Sequence, residues 1–118
     1  MSLTVVGSIA FDAVKTPFGQ RDRMLGGAAT HFALAASFFT DEVRPVGPVG
    51  DDFGEAEYAV LRNRGIHTDD IEHVPGGKTF FWAGEYGYDL NSRETLTTEL
   101  NVFETFQPKL SEAARNAD

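Results

Sequence analysis

The sequence predicts an α/β domain, with a parallel sheet and flanking helices followed by a group of further β-strands. Three observations carry this reading. The first half alternates apolar, β-prone runs with helical stretches in the order β, loop, α, β, α. The opening run, residues 3–9, is rich in β-branched residues, as in a strand buried on both faces. The second half changes character and holds three strand-like segments separated by turn residues.

Taken in order, residues 3–9 form the first strand, and Asp12 follows at once between Phe11 and Ala13. Residues 15–25 are polar and carry Pro17 and Gly19, so they read as a loop or an irregular edge strand. Gly26-Gly27 then opens a helix running to about Phe39. Phe32, Ala35, Ala36 and Phe39 fall at i, i+3, i+4, i+7 and define its apolar face. Residues 43–49 form a second strand, with Pro45 and Pro48 arguing for an edge position. Gly50-Asp51-Asp52 is a turn and helix-cap signal. Phe53, Ala56, Val60 and Leu61 mark one face of the helix after it, and Gly65 stops that helix.

Residues 71–74, 78–86 and 93–103 read as strands. The second carries Phe80, Phe81, Trp82 and Tyr86; in the third, Leu96, Leu100 and Val102 alternate with polar residues. Pro108 opens a short helix over 109–117. The chain stops at Asp118 directly after that helix, an unusual end for a complete α/β domain. The expectation is therefore a portion of a longer fold.

Composition narrows the function. The 118 residues make one domain at most, with 42% hydrophobic and 24% charged residues. Ten Lys and Arg against 18 Asp and Glu leave a formal charge of −8, a field that repels phosphate backbones, so no nucleic-acid partner is expected. The absence of cysteine excludes disulfides and thiolate metal sites. The N-terminus lacks a basic leader, and no apolar run approaches the ~20 residues of a membrane span. A cytoplasmic protein with no membrane partner is the expectation.

The glycine pair matters because two residues without Cβ let the backbone turn tightly and approach a ligand. A helix opening there places free N–H groups and the positive end of a dipole beside it. That is either a polar ligand site or a tight turn.

The series Val5-Val6-Gly7-Ser8-Ile9, Asp12, Gly26-Gly27 and Gly50-Asp51-Asp52 with Gly54-Glu55, followed by a strand meander, resembles the N-terminal part of ribokinase-like (PfkB) carbohydrate kinases. These enzymes phosphorylate sugars, nucleosides and similar hydroxyl compounds with ATP and Mg²⁺. The resemblance implies a ribokinase-like fold that is incomplete here. Its main α/β part would lie at about 1–68 and 104–118, with lid strands at about 14–25 and 70–103.

It also implies roles. Asp12 would accept hydrogen bonds from substrate hydroxyls, which suits a carboxylate offering two acceptor oxygens to a diol. Gly26 and Gly27 would bring backbone against the substrate. His31 stands where the family usually has Asn, a bulkier and titratable departure that argues against plain ribose as substrate. Phe80 or Trp82 would stack on the sugar from the lid; the two share one face of their strand and Phe81 lies on the other. Asn101, where the chain leaves the lid, would be a further substrate contact. The lid strands would form a homodimer interface.

Gly50-Asp51-Asp52 looks like the family's catalytic Gly-x-Gly-Asp loop, but that loop belongs near the C-terminal end of the enzyme, so Asp51 and Asp52 are expected to cap a helix. No catalytic residue, metal ligand or cofactor ligand is expected among the 118 residues. The catalytic base and the ATP site would lie beyond residue 118, neither ATP nor Mg²⁺ would bind, and the chain alone would be inactive.

Of the other readings, a non-catalytic small-molecule-binding or dimerisation module built on the lid strands stays open. A dinucleotide-binding oxidoreductase is disfavoured, because the first strand ends in Gly-Ser-Ile-Ala and not in Gly-x-Gly-x-x-Gly. A metal hydrolase is disfavoured because His31, His67 and His73 lack a helical i, i+4 pairing.

Overall fold

Two sheets share the chain in a computed structural model that describes all 118 residues. The first is parallel, with β1 (Leu3–Val6), β4 (Val43–Val49) and β5 (Ile71–His73) in the order β1-β4-β5. The second holds β2 (Ala10–Thr16), β3 (Gly19–Gly26), β6 (Phe80–Tyr86) and β7 (Arg93–Glu99) in the order β3-β2-β6-β7. In it two antiparallel hairpins join side by side through a parallel β2/β6 seam. The helices are α1 (Ala28–Ala36), α2 (Glu55–Arg62) and the short α3 (Glu112–Arg115). The α/β architecture with a strand lid is therefore as expected.

The boundaries differ from expectation in informative ways. The first strand ends at Val6, and Ala10 already belongs to the lid, so Asp12 sits inside a strand and not after one. Residues 15–25 are chiefly the β2/β3 hairpin. The segment at 71 pairs with Gly47 in the parallel sheet, so the second lid hairpin begins at Phe80 and not at 70. The last lid strand stops at Glu99 and gives way to a 3-10 turn, Asn101–Phe103.

Strand β4 is central, not at an edge, despite its two prolines. The hydrogen bonds explain why this is tolerated. Val46 O accepts from Gly7 N (3.1 Å) on the β1 side, and Val49 O accepts from Val74 N (2.8 Å) on the β5 side. Even positions of β4 thus face β1 and odd positions face β5. Pro45 would donate toward β5, which pairs only from Gly47 onward; Pro48 would donate toward β1, whose register ends at Val46. Each missing N–H falls where that neighbour is absent.

The core is built from Ile9, Phe11, Val43, Val49, Phe53, Leu61, Ile66 and Ile71 together with Ala29, Ala33 and Ala36 of α1. The alanine stripe packs α1 against β4, while Phe32 and Phe39 are 49% and 82% exposed. The expected aromatic face of α1 is therefore wrong. Two apolar stripes share the helical period, and the smaller side chains allow the closer approach of helix to sheet. Of the four residues expected on one face of α2, Leu61 is buried on the helix and Phe53 is buried just before it, whereas Ala56 and Val60 are exposed. Tyr58 packs instead, edge-on to Phe53 with ring centroids 4.9 Å apart. Gly65 follows α2 at a left-handed φ of 75°, the stop the sequence predicts. Helix α3 starts at Ser111, whose Oγ accepts from Ala114 N (3.2 Å), and not at Pro108.

Candidate functional site

An open cavity of about 280 Å³ lies where the lid meets the start of α1. The pairing register builds its wall. Ala10 lies opposite Phe80 and Asp12 opposite Trp82 across the β2/β6 seam, so these four point to one face. Phe81 points the other way and packs on the core. Gly27, Ala28 and His31 supply the opposite wall, and Tyr86 and Arg93 close one end. Asp12, Gly27, His31, Phe80 and Trp82, five residues singled out from sequence, are thereby brought together.

Asp12 is the chemical centre. Its carboxyl is partly buried, and no protein group donates a hydrogen bond to its side chain. Burial pushes its pKa up, and the neighbouring His31 partly opposes that rise. An acceptor held in this way gains most from donors brought by a ligand.

Gly26 lies just behind the cavity and sets that carboxyl's position. A Cβ on Gly26 would stand 2.1 Å from Asp12 Oδ2, so the acid rests on the bare backbone of β3. Gly27 is different. It caps α1 at φ 97°, ψ 153°, a conformation essentially reserved for glycine, and a Cβ there would stand 2.4 Å from Ser8 O.

The first N–H groups of α1 are already used. Ser8 Oγ accepts from Ala28 N (3.0 Å) and Ser8 O accepts from Ala29 N (2.9 Å). The expectation of a helix end with free donors is therefore corrected: residues 7–9 fold back over it. Its role is to present Gly27 and His31.

Asn101 stands apart from Asp12. Its Nδ2 donates to Thr79 O (2.9 Å), and it lines a second, larger cavity with Glu72, His73 and Lys78. Its backbone is left-handed, φ 52°, which asparagine tolerates. The structure gives this side chain a bond to the segment that enters β6 and no place at Asp12.

The expected capping by Asp51 and Asp52 is also corrected. Helix α2 is capped by Glu57, whose Oε2 accepts from Gly54 N (3.1 Å). Asp51 binds His73 Nε2 (2.6 Å) and Gly76 N (2.8 Å). Asp52 Oδ1 accepts from both Thr79 N (2.9 Å) and Thr79 Oγ1 (2.6 Å), and Gly50 N donates to that same hydroxyl (3.0 Å). The two acids tie the β4–α2 loop to the segment entering β6. Thr79, only 1% exposed, is thus fixed from several sides one residue before Phe80.

Tyr86 and Arg93 were not singled out from the sequence as site residues. Tyr86 follows Phe80 and Trp82 at even spacing, a signal present in the chain. Arg93 reaches the cavity only through its register with Tyr86 across the β6/β7 hairpin. Trp82 contributes to that end as well. Its ring lies over Gly84, where a Cβ would stand 2.2 Å from Trp82 Cη2, and Arg93 packs over the indole at 5.5 Å from the ring centroid.

The donor set for ATP or Mg²⁺ is not met by these residues. The tripeptide Gly77-Lys78-Thr79 has Glu72 where a phosphate loop carries its first glycine, and the buried Thr79 hydroxyl is bonded to Asp52; the amides of Ala28 and Ala29 at the start of α1 are engaged by Ser8, and no three acidic or histidine side chains converge.

No protein-family model matches the chain, and no curated relative does. Solved structures do. A nucleoside kinase of Burkholderia thailandensis in complex with inosine superposes with a TM-score of 0.74 at 19% identity, over 85% of this chain and 37% of its own. The ribokinase of Cryptococcus neoformans, in complex with ADP, gives 0.71 at 20% identity, over 85% and 34%. The fructokinase of Halothermothrix orenii gives 0.66 at 19% identity, over 85% and 39%. The chain therefore has a ribokinase-like fold and spans little more than a third of the length of the enzymes it matches.

Proposed function

We propose that these 118 residues are the substrate-binding part of an ATP-dependent sugar or nucleoside kinase, which transfers the γ-phosphoryl group of ATP to a substrate hydroxyl. The observation that carries this reading is Asp12: a partly buried carboxylate with no protein donor, in a cavity walled by Phe80 and Trp82. A polyol would donate two hydroxyls to Asp12, while a ring face lies on an aromatic side chain. Gly26 and Gly27 keep that side open, and His31 offers a ring nitrogen where the departure from asparagine alters the choice of substrate. Asn101 has its part in holding the lid, not in touching substrate. ATP, Mg²⁺ and the catalytic base belong to residues outside these 118, and the chain alone transfers no phosphate. A cytoplasmic location accords with a sequence that has no membrane-spanning helix. The whole of β7 is exposed and its outer edge unpaired, which suits a homodimer joined through the lid strands.

The test is calorimetric titration of the chain with D-ribose, D-fructose and inosine, beside the Asp12→Asn variant. At least one should bind, with stabilisation of about 2.7 kcal/mol at 100 times its Kd, and Asp12→Asn should abolish it. Binding that Asp12→Asn leaves intact would refute the role of Asp12. Phosphorylation of any of these by the chain with ATP and Mg²⁺ would refute the placement of the base elsewhere.

A further inference from the structure

Arg93 stands in the same cavity as Asp12 without a carboxylate of its own. The chain forms six ion pairs, and none involves Arg93 or Asp12. Glu85 and Glu94, its neighbours in the hairpin, both lie more than 4.0 Å from it by the same measure. Its guanidinium packs over one face of Trp82. No protein acceptor takes a hydrogen bond from its side chain, so its N–H groups remain available to a ligand.

The cavity is thus bipolar, with an acceptor end at Asp12 and a donor end at Arg93, and aromatic side chains between them. A neutral polyol engages only the first end. A ligand carrying hydroxyls at one end and an oxyanion at the other engages both, and a planar carboxylate or a phosphate matches the fork in a bidentate way. The chain's net charge of −8 works against anions in general, so a cation held here counters that field where it matters.

Resting on the substrate-binding reading above, we infer that the substrate is an anionic sugar, a sugar acid or a sugar phosphate, and that Arg93 is the residue that selects it. The carboxylate and phosphate sources share this chemistry and are separated by the choice of probe.

The experiment is calorimetric titration of the 118-residue chain with D-ribose, D-ribonate and D-ribose 5-phosphate at low and high salt, for the wild type, Arg93→Gln and Asp12→Asn. At low salt one or both anions should bind at least about tenfold more tightly than ribose. That advantage should shrink with salt and vanish in Arg93→Gln, in which the anions lose at least about tenfold more affinity than ribose does. Whichever anion gains more identifies the group. Asp12→Asn should weaken all three. If ribose binds as tightly as both anions, or Arg93→Gln weakens ribose equally, the inference fails while the substrate-binding reading stands. If anion binding is unchanged in Asp12→Asn, the reading fails and the inference with it.

Discussion

The adjacent glycines at 26 and 27 should respond to alanine in opposite ways. In Gly27→Ala the new Cβ would lie 2.4, 2.8 and 2.9 Å from Ser8 O, Ser8 C and Ala10 N, all backbone atoms. Nothing flexible is there to yield. The φ of 97° with ψ of 153° itself costs alanine about 1–3 kcal/mol. Moving residues 8–10 away would also weaken the two bonds from Ser8 to the start of α1, about 1 kcal/mol each. The sum is about 3–5 kcal/mol, a large part of the roughly 5–15 kcal/mol that holds a domain together. In Gly26→Ala the three nearest atoms all belong to the Asp12 carboxyl, at 2.1, 2.6 and 3.1 Å, and that side chain is free to rotate. Its stability should fall by no more than about 1 kcal/mol, whereas ligand binding should be lost with the displaced acid. Urea unfolding followed by circular dichroism gives the first quantity and calorimetry the second. A Gly27→Ala protein within about 1 kcal/mol of wild type, or a Gly26→Ala protein as damaged as Gly27→Ala, would refute this account.

Asp52→Ala should cost about 2 kcal/mol in urea unfolding, because the buried Thr79 loses the acceptor for both its N–H and its hydroxyl; Asp52→Asn, which keeps an acceptor oxygen, should recover most of it. The hydrogen bonds to Asp51, first from His73 and then from Gly76, hold its carboxyl below the ordinary value. Its contribution is therefore present above the unfolded pKa and is lost as pH falls through the folded one, so in Asp51→Asn stability should decline less steeply below about pH 4. Asp12 carries the opposite sign. Burial raises its folded pKa, so its contribution fades as pH rises through that value, and Asp12→Asn should melt no lower than wild type at neutral pH even as binding is lost.

Much of the fold was legible because period and turn chemistry agreed. The run from Leu3, the stop at Gly65 and the aromatic strand at Phe80 announced themselves locally. What escaped reading depended on pairing. The prolines of β4 signalled an edge, and only the offset between β1 and β5 shows why a central strand accepts them. Ile71 reads equally well in either sheet, and its bond partners decide. The stripe of Ala29, Ala33 and Ala36 and the stripe of Phe32 and Phe39 have the same period, and close packing chose the small one. Within the site, Asp12, Gly27, His31, Phe80 and Trp82 were accessible through residue type and resemblance. Arg93 was not, since a charged residue at the start of an exposed strand carries no local mark.

The β2/β6 seam has a consequence for the order of assembly. It pairs Ala10 with Phe80 in parallel, so its two strands meet only after closure of a loop of some seventy residues. Each hairpin is a local pairing with little loop to close, whereas the seam carries the larger closure entropy. Asp12 and Trp82 lie on opposite sides of that seam. The cavity therefore exists only once the two hairpins have joined, and a ligand that bridges Asp12 and Trp82 stabilises that union of hairpins and not either hairpin alone.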